Sequence, residues 1–382
     1  MEAILQFIPS NFKPFALLVL CFCTFPVAWS FCWAKSEVCP ESSSLLLWKF
    51  KTQGRIINTP IIHNGVLYFA SEDQYIYALK AQSGMLLWRY KTRGAIYNSL
   101  ALHKGVLICG STDGNVYALD YRTGKLLWHF PTRREIWSSP LCVRNWVFIG
   151  SNDCHLYALD TKTGSVLWKF KAQGWLRAPA SSDGKYIYIG NSGNDSLYKL
   201  YAIEITSGQL RWTFAVSGPI ESGVTIGKHA IYVSCEDGFC YAIIKSSGKL
   251  LWKKKLDNAA WLNAQPLLEN NTLFIAASNG RVYRLNATDG TIIWRYQGDG
   301  WFNASPLRYQ KYIVVANGGM HNNNYIYALE HSTGTLAWRI KVSAEVEKAP
   351  AIYKNAIYVG CHDGNLYAIQ IPKEKGTYSI AR

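Results

Sequence analysis

Several things are scarce in this 382-residue chain, and each scarcity narrows the field. Only one long apolar run is present, which excludes a multi-span membrane protein. Charged residues make up 17% against 49% apolar, a balance that excludes a disordered chain. The eight histidines are scattered, with no His-x-x-x-His or Cys-x-x-Cys pair, so no zinc site is supported and no metal-ligating residue is assigned on that pattern. The glycine-rich stretches lack the strand–loop–helix setting that phosphate binding needs, and they read as turns. Carboxylates are outnumbered, with Asp+Glu 25 against Lys+Arg 40, leaving a net charge of +15. That balance raises nucleic acid, anionic lipid or an acidic partner as candidates.

What is abundant points one way. Fifteen Trp, 24 Tyr and 30 Gly suit many short strands and tight turns, so the first expectation is an all-β protein. The apolar run Phe15 to Trp33 lies between Lys13 and Lys35, and Ala28-Trp29-Ser30 offers small residues for a signal peptidase. Residues 1–30 therefore read as a signal peptide or a membrane anchor, and the chain as exported to the periplasm or cell envelope. Neither Leu18-Val19-Leu20-Cys21 nor Trp29-Ser30-Phe31-Cys32 supplies the small residues that lipidation requires. Ten Cys are present, and eight remain if Cys21 and Cys23 leave with the signal. One pair has a local rationale: Cys235-Glu236-Asp237-Gly238-Phe239-Cys240 reads as a hairpin with an Asp-Gly turn. In that register Cys235 and Cys240 face each other, either as a disulfide or as two small apolar residues sharing a strand pair.

Internal repeats decide the fold. Trp recurs at 48, 88, 128, 168, 212, 252, 294 and 338, each in an apolar strand, at intervals of 40 to 44 residues. A second signature, Ile76-Tyr77-Ala78-Leu79 in its first copy, recurs around Tyr117, Tyr157, Tyr201, Tyr241, Tyr283, Tyr327 and Tyr367. Glycines at 84, 124, 164, 208, 248, 290 and 334 mark the turn from this strand to the next Trp strand. Each unit then holds four strands: an inner one near Ile56 to Ile62, Gly65 to Ser71, Tyr75 to Lys80, and the Trp strand. This is the period of a β-propeller blade. The chain opens on a Trp strand (Leu45 to Lys51) without its blade and ends on a Tyr strand (Leu366 to Ile371) without its Trp strand. Pairing the two completes an eighth antiparallel blade and removes two open edges. The expectation is an eight-bladed propeller over residues 45–371, with 31–44 as linker and 372–382 as tail.

Ala-Leu-Asp-x-x-Thr-Gly-x-x-x-Trp, intact at Ala118 to Trp128 and Ala158 to Trp168, resembles the tryptophan-docking repeat of the pyrroloquinoline-quinone (PQQ) propeller family. Within that superfamily, the size, the export signal and eight bare blades resemble the BamB family of outer-membrane assembly lipoproteins. The resemblance implies a non-enzymatic scaffold whose partner is a β-barrel assembly component or client, with membrane attachment through the N-terminal segment. It also implies a rival, a PQQ-dependent dehydrogenase or sensor using PQQ with calcium. Against that rival, such dehydrogenases are generally longer and many carry a vicinal Cys-Cys bridge, which is absent here.

Aligned repeats also locate charge and site. Eleven Lys or Arg stand one or three residues after the repeat Trp, on outermost strands. They guard strand edges or form a basic belt for anionic lipid or lipopolysaccharide; because they encircle the ring, nucleic acid is not expected. The column of Ile56 is uniformly apolar and reads as core. Its neighbours vary: Ile57, Tyr97, Trp137, Arg177, Glu221, Asn263, Asn303, Glu347 after it, and Arg55, Ala95, Glu135, Trp175, Pro219, Trp261, Trp301, Glu345 before it. They lie where the interblade loop enters the inner strand, at one mouth of the central channel. Three uses compete: polar residues hydrating a channel, a docking face, or a cofactor pocket. As a docking face, Trp175, Leu176 and Arg177 make the contacts with Glu221, Trp261 and Trp301 nearby. As a pocket, Asn263, Asn303 and Glu347 hold a carboxylated quinone and a hard cation.

Overall fold

A computed structural model describes residues 45–193, 197–319 and 323–380. The export segment expected over 1–30 and the linker over 31–44 lie outside the described residues. Among the described residues every regular element is a β-strand. After the N-terminal strand β1 (Leu46–Lys51), the first blade runs outward from the axis as β2 (Ile61–His63), β3 (Val66–Ala70), β4 (Tyr75–Lys80) and β5 (Leu86–Lys91), all antiparallel. Six more sheets repeat that order. The eighth takes Ala351–Tyr353, Ala356–Gly360 and Asn365–Gln370 from the end of the chain and β1 from its beginning, with Trp48 opposite Ala368. The fold is the expected eight-bladed propeller, latched by its own two ends.

The strand patterns follow from where each strand sits. β3 and β4 are apolar and buried almost throughout because neighbouring blades cover both of their faces. β5 alternates, with half-buried Trp88 and Tyr90 facing the next blade and Arg89 and Lys91 in water. In every blade the outer pair carries a bulge at the same step of the third strand, as between Ala78 and Leu79. The core is divided into eight clusters, one per interface. The cluster joining Ile56, Phe69 and Tyr77 to Tyr358 and Leu366 seals the ring.

The repeat tryptophan joins one blade to the next. Trp48 Nε1 donates to Ala81 O at 3.0 Å, Trp88 to Tyr121 O at 3.2 Å and Trp128 to Thr161 O at 2.9 Å, and the same bond recurs from Trp168, Trp212, Trp252 and Trp294. Each indole also lies flat on the turn glycine of the following blade. A Cβ built on Gly164, which has φ +72°, would come within 2.6 Å of the Trp128 ring. Only glycine satisfies both the left-handed backbone and the close approach.

Three expectations need correction. The repeat pattern predicts an inner strand near Ile56 to Ile62, but only Ile61–His63 pairs. Ahead of it Asn58 bonds both backbone groups of Ala70 through its side chain, and Pro60 has no N–H to give. Cys235 and Cys240 do not face each other. The connection spans Cys235–Gly238, Ser234 is the residue opposite Cys240, and both cysteines are free and buried. The one-residue offset sends them to different interfaces, Cys235 toward blade four and Cys240 toward blade six. Finally, the residues expected only as a tail contain a strand, Gly376–Ser379, which pairs in parallel with the outer strand of blade seven.

That strand answers a consequence of closure. Because the eighth blade borrows its outer strand from the N-terminus, it has no third-to-outer turn, and so no glycine on which Trp338 of blade seven can dock. The chain instead folds back with Gly376 beside Trp338, and Ile371 and Ile380 join its cluster, leaving Trp338 2% exposed.

Gly164→Ala should destabilise the protein by about 3 kcal/mol, combining left-handed strain with overpacking against Trp128. Gly184→Ala, at φ +86° with no atom within 4 Å of the new methyl, should cost only the strain, about 1 kcal/mol. Urea denaturation of the two variants checks this, and equal losses would refute the docking argument.

Candidate functional site

In each four-stranded blade, the interblade link and the second-to-third turn end up on the same face of the ring. The backbone ties the two together in all eight blades: Glu72 N donates to Arg55 O, Asn152 N to Glu135 O, Glu236 N to Pro219 O and His362 N to Glu345 O, with equivalents in between. The varying columns therefore meet around one mouth of the channel. The cavity there has a volume of about 550 Å³.

Arg177, Glu221, Asn263, Asn303 and Glu347 all line this cavity, as the aligned repeats predict. Around blades two to four the wall is a ladder of rings and charge. Tyr97 stacks on Trp137 with centroids 4.6 Å apart and planes 12° from parallel. The Arg177 guanidinium lies 4.9 Å from the Trp137 ring and 4.2 Å from the Trp175 ring, and its Nε donates to Asn152 Oδ1 at 3.2 Å. Both cation–π contacts hold the arginine in place while its outer surface stays available. Trp175 lines an adjoining notch with Arg134 and Glu135 instead of the main cavity.

Other expected contacts are placed differently. Leu176 is fully buried at the interface of blades three and four and cannot touch a partner. It belongs to the apolar Ile56 column, whose side chains point into the core. Trp261 is 40% exposed at the rim and lines neither cavity. Trp301 leans on blade eight, its Nε1 donating to Glu345 Oε1 at 3.2 Å.

Around blades five to eight the wall is rich in acceptors. Asn263 Oδ1 and Asn303 Oδ1 are buried with no hydrogen-bond partner among the described residues. Burial pushes the Glu221 carboxyl above its ordinary pKa, against the opposing pull of the neighbouring Ser192 hydroxyl and the charge of Arg177. Burial raises Glu236 in the same way, opposed by a hydrogen bond from Asn263. Glu347 behaves oppositely: burial would raise it, but His362 at 3.0 Å, with Lys348 and Arg55, brings it below the usual range. His362 rises in return, held by Glu347 and by Glu345 at 3.5 Å from its Nδ1.

Tyr97, Glu236, Lys348 and His362 were not singled out from the sequence. Glu236 and His362 share one column of the second-to-third turn, reading Glu72, Thr112, Asn152, Ser192, Glu236, Ser278, Gly318 and His362. It varies as much as the two columns that were read, and that variation was the available signal.

A family profile described as outer membrane protein assembly factor BamB matches residues 38–135, 94–219, 198–319 and 302–377. The chain belongs to the BamB family. Curated relatives include BamB of Yersinia pestis, 23% identical over 123 residues, 31% of this chain and 30% of that protein. Tetrathionate hydrolase of Acidithiobacillus ferrooxidans is 27% identical over 147 residues, 37% of this chain and 27% of that protein. The matched stretches thus span less than a third of these relatives' length. Among solved structures, BamB from Moraxella catarrhalis superposes with a TM-score of 0.72 at 18% identity, covering 85% of this chain and 99% of that one. Quinohemoprotein alcohol dehydrogenase from Comamonas testosteroni gives 0.73 at 14% identity, over 86% and 77%. At such identities both structures show the fold alone.

A BamB-family propeller with this mouth should respond to pH at Glu221. Its raised pKa means that ionisation is disfavoured in the folded state, so the stabilisation is present below the ordinary carboxylate pKa and is lost as pH rises through the folded value. Glu221→Gln should therefore raise the denaturation midpoint near neutral pH and leave it unchanged in acid, where the wild-type carboxyl is protonated. Unchanged midpoints at both pH values would remove the assignment.

Proposed function

We propose that this protein is a non-enzymatic docking scaffold of the cell envelope that takes part in outer-membrane protein assembly, exported to the periplasm and partnered with a β-barrel assembly component. Family membership supplies the process, since the matching profile and several relatives carry that name. The observation that carries the docking site is the ladder of Tyr97, Trp137, Arg177 and Trp175. Rigid aromatics and a fixed arginine are the residue types that anchor interfaces, and their pre-set geometry leaves little side-chain freedom to lose on binding.

A second reading rests on the acceptor wall. The unpartnered oxygens of Asn263 and Asn303, with Glu221 and Glu236 alongside, suit a donor-rich ligand or a hard cation, and PQQ with calcium is the cofactor of that type that the resemblance to PQQ-dependent dehydrogenases implies. Asn263, Asn303 and Glu221 would face such a group, whereas Glu347 is occupied by His362. When bound, the quinone would supply redox chemistry. Quenching of tryptophan fluorescence on titration with PQQ and calcium, lost in Asn263→Ala, would support this reading.

For the scaffold, affinity capture of the full-length protein from detergent-solubilised envelopes should recover a β-barrel assembly protein identified by mass spectrometry. Arg177→Glu should lower recovery by roughly tenfold or more, as loss of an interface hot spot does, with an unchanged near-ultraviolet circular dichroism spectrum at the capture temperature showing that the variant is still folded. Recovery at the wild-type level would remove the site assignment.

A further inference from the structure

The opposite face of the ring carries a different pattern. There the first-to-second turn and the third-to-outer turn of each blade lie side by side, joined by bonds such as Ala81 N to Gly65 O and Tyr121 N to Gly105 O. Near the axis, Lys104, Arg144, Lys185, Lys228, Lys311 and Lys354 place an exposed cation in six of the eight first-to-second turns. At the rim, the outer strand of every blade but the seventh starts beside its turn with exposed aliphatic residues. Of the fifteen large apolar side chains exposed among the described residues, all but Trp137, Leu197 and Trp261 occupy these strand starts or, for Met85, the residue just before one, with Leu127 (51%) and Leu251 (49%) among them. Blade seven lacks the feature because the C-terminal strand covers it.

We propose that this face rests on an anionic phospholipid bilayer, with the turn cations at the headgroups and the aliphatic rim at the membrane interface. The inference does not depend on the docking role of the other mouth.

Two alternatives explain less. Protection of strand edges accounts for Lys and Arg along the outer strands, yet not for cations in turns near the axis, and exposed leucines work against it. A single protein partner would meet one distinctive patch, whereas here the same aliphatic start recurs from blade to blade at one height around the ring. A laterally uniform surface of negative charge over hydrocarbon is the complement of that arrangement.

The backbone adds a point. Lys104, Arg144 and Lys354 hold φ of +47°, +58° and +54°, a region where Asn and Gly are at ease, as Asn64 and Asn270 are in the equivalent turns. The cations thus occupy positions that local conformation does not favour. They are also unopposed: among the described residues none of the six forms an ion pair with a carboxylate. The acids of this face are engaged elsewhere, Asp183 with Lys245 at 3.4 Å, Glu269 with Arg308 at 3.2 Å and Glu330 with Lys375 at 3.1 Å. Asp120 and Asp160 accept their own turn N–H groups.

The test is hydrogen–deuterium exchange of the full-length protein with vesicles of phosphatidylcholine, with or without phosphatidylglycerol. An N-terminal anchor would bind both, so the informative readout is where the propeller becomes protected. Turns 103–105, 143–145 and 353–355 and the starts of the outer strands should slow only with phosphatidylglycerol, and high salt should reverse the effect. The Lys104→Glu/Arg144→Glu/Lys354→Glu variant should need roughly a hundredfold more anionic lipid for the same protection. Leu127→Ser/Leu251→Ser should weaken protection while keeping its salt dependence. Because all five side chains are exposed, unchanged near-ultraviolet circular dichroism confirms folding. Equal protection by both vesicles, protection confined to the Arg177 mouth, or protection by poly-glutamate but not by vesicles would each overturn the proposal.

Discussion

The structure depends on one contact, repeated around the ring: an indole of one blade lying on a left-handed glycine of the next, with its Nε1 on a backbone carbonyl beside that glycine. The contact fixes both the spacing and the tilt of adjacent blades. A ring must close at the right angle, so an error at each joint would accumulate over eight blades. The indole excludes water from its hydrogen bond, and an unmade bond there would strand a buried donor. The interface clusters add the larger apolar stabilisation, but they tolerate substitution, as the exchange of Ile, Leu, Phe and Val in the Ile56 column shows. The glycine tolerates none. Closure by the chain's own ends removes one such glycine, and the C-terminal strand covers the tryptophan left without it.

This division explains what could be read from the sequence. Trp and the turn Gly sit where geometry permits one residue type, and the Tyr-containing third strand is buried on both faces, so they recur at near-constant spacing and make blade number, strand order and the latch legible. The elements misjudged are those governed by single side chains or by register. Asn58 shortens the inner strand by bonding Ala70, which apolar patterning does not reveal. The offset of Cys235 and Cys240 follows from a four-residue connection, where Asp237-Gly238 suggested two. Gly376–Ser379 has no repeat to align with, and its pairing beside Trp338 supplies the cover that the missing turn does not.

The site was legible to the extent that it departs from the repeat. Arg177, Glu221, Asn263, Asn303 and Glu347 were found as irregular positions next to a regular one, and all five line the cavity. Leu176 was included because it lies between Trp175 and Arg177 in sequence. In an extended segment, though, successive side chains point to opposite sides, and Leu176 goes to the core. Glu236 and His362 were overlooked because their column lies some fifteen residues further along each repeat. Only the hydrogen bonds between the two loops bring them to the same mouth.

The two halves of that mouth are chemically opposed but not independent. Blades two to four present packed rings and a positive charge, whereas blades five to eight present carboxyls and unpartnered oxygens. Arg177 connects them, since its charge restrains the rise that burial imposes on Glu221. A partner covering the ladder would also cover the cavity, removing water from carboxyls that already resist ionisation. The Arg177 charge, the larger of the two cationic influences that oppose the rise at Glu221, would then offset part of that cost, and its cation–π contacts with Trp137 and Trp175 hold it in place. A docking surface and a polar cavity can thus share one mouth, because the rigid ring keeps their spacing constant whatever occupies either half.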